Sequence, residues 1–317
     1  MPLSRKVKTA LDETRTLMLG AQILLGFQFN GAFQTRFDAL LPPAMIVDAI
    51  ALLLMLSSVG LLIAPSAFHR IVDRGASPGR TLVVTSLCAA ASLLPFAAAL
   101  GIDLALALLR TVQNAVFSIA AGASFALMGV AAWYGLGWIM RNHQGAPERR
   151  QAELDRSVTE TAPLHTRIEQ MLTEARVILP GAQALLGFQL AIVLTDTFEK
   201  LPSLPRLMHA AALMSVALSV ALLITPAALH RIVWAGEDTE AVLAIGGRLT
   251  LLALLPLAMG MAGDFYVVLS RVLSSTGPAA IAATLVLVYL IGFWFAWPLV
   301  ERLQRGSEFL IKASLDS

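Results

Sequence analysis

Two glutamines stand six residues apart in GAQILLGFQ (residues 20–28), and two more in GAQALLGFQ (residues 181–189). A primary amide offers two N–H donors and an acceptor oxygen. Inside a hydrocarbon layer it has no bulk water, so it must bond a neighbouring helix or line a wet cavity. Gln28 falls near the middle of the first apolar stretch and Gln189 near the middle of the fifth. With Gln22 and Gln183 they are the candidate pathway-lining or inter-helix polar residues. Six residues turn a helix through about 600°, a net of about 240°, so Gln22 and Gln28 do not share a face. That argues against a single file of amides. Gly20, Gly26, Gly181 and Gly187 flank the amides and permit close helix approach. As helix glue such a bond contributes only about 0.6 kcal/mol; as pathway lining it would contact a passing cation or solute. Both readings stand at this point.

Two histidines are the other groups capable of chemistry. His69 and His230 close the second and sixth apolar stretches, each followed by Arg-Ile-Val and preceded by Pro65 or Pro226. Imidazole titrates near neutral pH and ligates metal or haem, so these are candidate pH-sensing or ligand residues. A cation in the last helical turn also complements the helix dipole and anchors an interface, and that is the simpler expectation.

The acidic residues are expected at the edges of the stretches. Asp38, Glu199, Asp103, Asp264 and Asp48 fall near one boundary, Glu13 and Glu174 near the other. A cation/proton antiporter needs a carboxylate inside the membrane, and these positions argue against one. Asp103 and Arg110 are expected to form a solvent-screened pair of little energetic weight. Pro65, Pro95, Pro226 and Pro256 are expected to kink helices, freeing carbonyls that neighbouring helices satisfy. Trp133, Tyr134, Trp138, Trp294 and Trp297 read as an interfacial aromatic belt. The lone Cys88 excludes an internal disulfide and reads as a small apolar residue. No phosphate-binding loop, dinucleotide fingerprint, HExxH or nucleophile elbow appears, so neither enzyme, metal site nor cofactor is expected.

These residues are positioned by long apolar elements. Of 317 residues only 14% are charged, and mean hydropathy is +0.74, against about 25% charged in soluble domains. Apolar stretches fall near 17–37, 44–68, 81–102, 112–140, 177–198, 205–229, 242–263 and 272–299. Each is long enough to cross a hydrocarbon core of about 30 Å as a helix. The expected class is therefore all-α: a polytopic membrane protein with eight transmembrane helices. The first stretch, with no cleavage site after it, reads as a retained signal anchor. A net charge of +2 without a basic stripe argues against nucleic acid.

The two halves align without a gap at an offset of 161, since 181 − 20 = 161. Glu13/Glu174, Gln28/Gln189, Pro65/Pro226, His69/His230, Asp103/Asp264, Arg110/Arg271 and Trp133/Trp294 all keep that register. Scarce residues do not align by chance over four helices, so the chain reads as a duplication. The expected organisation is a first repeat at 1–141, a cytoplasmic linker at 142–163 and a second repeat at 164–317. Leu3, Val7 and Leu11, matched by Leu164, Ile168 and Leu172, suggest a short amphipathic surface helix before each repeat. Eighteen Lys and Arg fall on the side of the termini and linker and five on the other. The positive-inside rule then places both termini in the cytoplasm. An even number of spans per repeat makes the repeats parallel, related by a pseudo-two-fold along the membrane normal, as in a fused homodimer.

Each half resembles an uncharacterised bacterial family of four-helix integral membrane proteins. The likeness rests on ETRTLMLGAQILLGFQ and APSAFHRIV in the first half, and on EARVILPGAQALLGFQ and TPAALHRIV in the second. It implies a multi-pass protein of the bacterial inner membrane. The family is a domain of unknown function and brings no site residues; its usual single copy stands here in tandem. Some relatives carry sodium/proton antiporter labels, which the placement of carboxylates above does not favour.

The expected function is a channel or transporter for a small cation or solute at the interface of the repeats, the pseudo-dimeric chain contacting lipid. A non-catalytic scaffold or accessory subunit is the alternative. A haem-binding electron carrier through His69 and His230 is a third reading.

Overall fold

The apolar stretches fold as long helices, each ended by a local signal. The computed structural model describes residues 3–35, 37–72, 78–135, 163–234 and 237–304. Four helices form the first half: α1 (Leu3–Gly31), α2 (Pro42–Ile71), α3 (Pro78–Val112) and α4 (Ala115–Val130). Four more form the second: α5 (Leu164–Ile192), α6 (Ser203–Ile232), α7 (Glu240–Val272) and α8 (Thr276–Ile291). No strand occurs among the described residues. Asn114 accepts from the Phe117 N–H to start α4, and Thr239 accepts from the Val242 N–H to start α7, satisfying N–H groups the first helical turn leaves free. The turns between α3 and α4 and between α7 and α8 each hinge on one left-handed residue, Gln113 (φ 57°) and Ser274 (φ 49°). These two are 161 positions apart.

Among the described residues seven helices are long and apolar enough to cross a membrane; α1 is not among them. The reason lies in composition. The first half of α1 carries Arg5, Lys6, Lys8, Asp12, Glu13 and Arg15, and it ends in Phe29-Asn30-Gly31 where α5 ends in Leu190-Ala191-Ile192. Gln22 and Gln28 recur in α5 as Gln183 and Gln189, but Asn30 stands where α5 has Ala191, so α1 has less apolar sequence to offset its amides.

Neither expected surface helix is separate. α1 and α5 each run unbroken for 29 residues from the amphipathic segment into the apolar one, because no residue between them stops a helix. In α5 the amphipathic face does not lie open to a membrane surface. Ile168 and Met171 are buried against Val242 and Leu243 of α7, with Leu164 and Leu172 packed beside them. The side chains of Leu3, Val7 and Leu11, and the linker at 142–162, lie outside the described residues.

The helices pack as two similar sets around a central pair. α1 lies along α5; α2 packs on α3 and α6 on α7; α7 also reaches α2. The α1–α5 contact is close at two glycines: a Cβ on Gly26 would sit 2.0 Å from the Phe188 ring, and one on Gly181 would sit 1.3 Å from Gln22 Oε1. Gly20 and Gly187, expected to share that role, face open space. Pro65, Pro95, Pro226 and Pro256 lie inside helices, and a repeated serine bonds just before Pro95 and Pro256. The Ser58 hydroxyl donates to the Ser92 carbonyl (3.0 Å), three residues before Pro95. The Ser219 hydroxyl donates to the Ala253 carbonyl (2.8 Å), three residues before Pro256. Each accepting carbonyl is the neighbour of the one that the proline leaves free four residues back, at Ala91 and Leu252.

The fourth helices break the likeness between the halves. Each leads into a π-helical turn, Ala131–Gly135 after α4 and Gly292–Ala296 after α8, and a tryptophan sits in each. Trp294 is fully buried and its Nε1 donates to the Gly60 carbonyl of α2 at 2.8 Å. Tyr289 donates to the Ser57 carbonyl at 3.1 Å, and Trp297 stacks near Phe68. α8 therefore crosses to the opposite half. Trp133 is exposed beside Phe96 of its own half, and Tyr134 donates to the Ala90 carbonyl of α3. The expected aromatic belt is thus corrected for Trp294, whose indole N–H is spent on packing.

Candidate functional site

Gln28 faces α3. Its Nε2 donates to both oxygens of Asp103, at 3.0 and 2.8 Å. In the second half Gln189 Nε2 donates to Asp264 Oδ2 at 2.8 Å. Both contacts span 75 residues of sequence, so one amide–carboxylate pair recurs at the repeat offset. From sequence the glutamines are open to either role, and the aspartates are expected near a boundary. Instead α3 runs through Val112 and α7 through Val272, so both aspartates sit inside helices and turn toward the amides. Asp103 is thereby engaged by Gln28, where a screened pair with Arg110 was expected. Arg271, the counterpart of Arg110, bonds Asp38 at 2.6 Å and lies over the Phe33 and Phe37 rings.

The second pair is the more enclosed. Gln189 is 0% exposed and Asp264 4%. His209 of α6, 1% exposed, completes the group: its Nε2 lies 3.1 Å from the Gln189 carbonyl, and its Nδ1 lies 3.9 Å from Asp264 Oδ1. The ring stacks near Phe29 of α1 and meets Phe198 edge-on. A cavity of about 10 Å³ between the halves, walled by Leu25, Phe29, Leu52, Leu56, Leu185, Met261 and Phe265, borders Asp264. Since 209 − 161 = 48, the first-half position matching His209 is Asp48. The two clusters therefore differ in charge type while sharing the amide and the aspartate.

The remaining sequence candidates fall elsewhere. Gln22 is buried against Gly181 across the α1–α5 contact, whereas Gln183 is exposed. His69 does not anchor an open surface. Its Nδ1 lies 2.7 Å from Glu174 Oε1, and Arg70 Nε donates to Glu174 Oε2 at 2.5 Å. Glu174 is 0% exposed, so a carboxylate expected at a boundary is an interior bridge between the halves. His230 instead lies 3.6 Å from Asp238. The histidines thus have separate partners, and no cluster of three metal-ligating side chains occurs among the described residues.

Sequence reasoning missed Asp264, His209 and Glu174 as members of buried clusters, the half-buried Asp103 as the partner of Gln28, and Asp48 as the counterpart of His209. One signal was present: in a register that pairs Gln28, His69 and Asp103 with identical residues, Asp48 stands opposite His209. A swap between acid and imidazole at one repeat position marks a site where the halves have diverged.

Neither a curated protein nor a solved structure matches the chain. A family profile matches it twice, over residues 2–137 and 157–298, and each match covers one set of four helices. The chain belongs to that family, a family of unknown function (DUF6328), and carries its domain in tandem.

Proposed function

We propose that this protein spans the bacterial inner membrane with eight helices, α1 included, arranged as two parallel repeats with both termini in the cytoplasm, and that it moves a small cation. The eighth span rests on α1 lying along α5 as its sequence counterpart; the orientation rests on eighteen basic residues against five. The observation that carries the transport reading is the repeated pair Gln28–Asp103 and Gln189–Asp264. Carboxylates held by amides inside apolar helices are costly for packing alone, and such groups mark ion pathways by default. The ion-binding groups lie within each repeat, with the second cluster touching α1 through Phe29.

Ion flux into liposomes reconstituted with the pure protein tests this, beside the double variant Gln28→Leu/Gln189→Leu. Flux that disappears in a folded variant supports the reading, and a panel of small cations that never moves through the unaltered protein sinks it. A scaffold reading is favoured by the tight α1–α5 contact at Gly26 and Gly181. It takes over if flux is absent and the variant is only less stable.

A further inference from the structure

The Gln189–Asp264–His209 cluster has one bonding pattern that constrains what it can hold. Gln189 Nε2 donates to Asp264 Oδ2, which orients the amide and leaves its oxygen as a pure acceptor. His209 Nε2 faces the Gln189 carbonyl at 3.1 Å. A carbonyl only accepts, so that nitrogen carries a hydrogen, and in the neutral ring Nδ1 is then a lone pair. Among the described residues Gln189 Oε1, Asp264 Oδ1 and His209 Nδ1 have no hydrogen-bond partner. All three belong to residues at least 96% buried, since their exposures are 0%, 4% and 1%.

Two of these atoms, Asp264 Oδ1 and His209 Nδ1, face each other at 3.9 Å. A carboxylate lone pair against an imidazole lone pair in an apolar interior is unfavourable. One added proton resolves it. The proton sits either on Asp264, whose O–H then donates toward Nδ1, or on Nδ1, making an imidazolium that faces the carboxylate. The size of the adjoining cavity points the same way, because about 10 Å³ is at the lower limit for a single water and too small for an organic solute. The nearby charged groups do not supply a counter-ion. Arg271, two turns along α7, is bonded to Asp38, while Phe29 and Phe198 cover the ring.

We propose that Asp264 and His209 form a proton-binding site in the second repeat, holding one exchangeable proton between Asp264 Oδ1 and His209 Nδ1, with Gln189 fixing the carboxylate. The first repeat lacks this site. Its equivalent of His209 is Asp48, so no imidazole faces Asp103 there. The site names the proton as the ion of the transport reading, on which that last step rests; binding itself does not depend on it.

The test uses full-length protein in lipid, read two ways. Infrared pH-difference spectra report a protonated carboxyl directly, and ¹⁵N-histidine NMR reports the protonation of Nδ1. The expected result is a titrating carboxyl–histidine pair, besides those of His69 with Glu174 and His230 with Asp238, that is lost in Asp264→Asn, is altered in His209→Gln and persists in Glu13→Gln. His209→Gln keeps the question answerable if Asp264→Asn does not fold. A spectrum with no titrating carboxyl, or one that both site variants leave unchanged, overturns the proposal. Proton flux is then measured in liposomes made from the same samples. Loss of proton flux in both variants supports site and transport together. A titrating pair without proton flux keeps the site and removes the proton as the transported ion, whereas flux of other cations alone leaves the transport reading standing without it.

Discussion

Glu174 Oε1 lies 2.7 Å from His69 Nδ1, joining the eleventh residue of α5 in one half to the last turn of α2 in the other. The same carboxylate takes Arg70 Nε on its second oxygen, at 2.5 Å. One acid from α5 thereby holds both basic residues that close α2. Glu13, its counterpart in α1, is exposed. The identical residue type at the matching position thus has two fates, and the difference is energetic.

Removing the buried acid should leave a cationic guanidinium in the interior with its main partner gone. Breaking one side of a buried ion pair costs about 3–5 kcal/mol. Glu174→Gln is expected to lower thermal stability in detergent by far more than Glu13→Gln, whose exposed site predicts a change within about 0.5 kcal/mol. Equal shifts for the two variants would refute the bridge.

At the α1–α5 contact, Gly181→Ala places a Cβ on Gln22 Oε1. The clash should cost about 1–3 kcal/mol. Adding Gln22→Ala removes the obstructing group, so the double variant should recover part of the loss and give a coupling of about 0.5–3 kcal/mol. Gly187→Ala, facing open space, is the control and should be neutral or slightly stabilising. Unfolding curves for the four proteins decide the matter.

The two π-turn tryptophans should respond unequally. Trp294→Phe deletes a buried N–H that donates to the Gly60 carbonyl, a hydrogen bond worth about 0.5–1.5 kcal/mol, since the carbonyl keeps its bond within α2. Trp133→Phe, at a 40% exposed site, should change stability little. Indole fluorescence checks the placement: an aqueous quencher should spare Trp294.

Ser274 holds φ at 49° between α7 and α8. A left-handed backbone costs an L-residue about 1–2 kcal/mol, which glycine avoids at some loss of unfolded-state restriction. Ser274→Gly is therefore expected to raise the melting temperature modestly, and Ser275→Gly, at φ −149°, to lower it. A fall for Ser274→Gly would mean the serine is held there by more than the turn.

The sequence by itself determined the class, the duplication and the register. Those follow from quantities local to the chain: the length and apolarity of eight stretches, and one offset of 161 shared by glutamines, prolines, histidines and tryptophans. It also singled out Gln28 and Gln189, because an amide in an apolar stretch is conspicuous without any knowledge of neighbours. What it could not supply was the partner of each polar group. Asp103 and Asp264 read as boundary residues while the helix ends were judged from hydropathy alone; only the full lengths of α3 and α7 brought them inside, beside the amides. The fate of Glu174 was decided the same way, by α5 packing where α2 ends. The divergence of the fourth helices was hidden altogether. Trp133 and Trp294 occupy matching positions in matching π turns, yet one faces outward and the other reaches Gly60. Repetition in sequence specifies equivalent helices, but a helix face becomes a site only when a particular neighbour lies against it, and that choice is made by packing between segments distant in the chain.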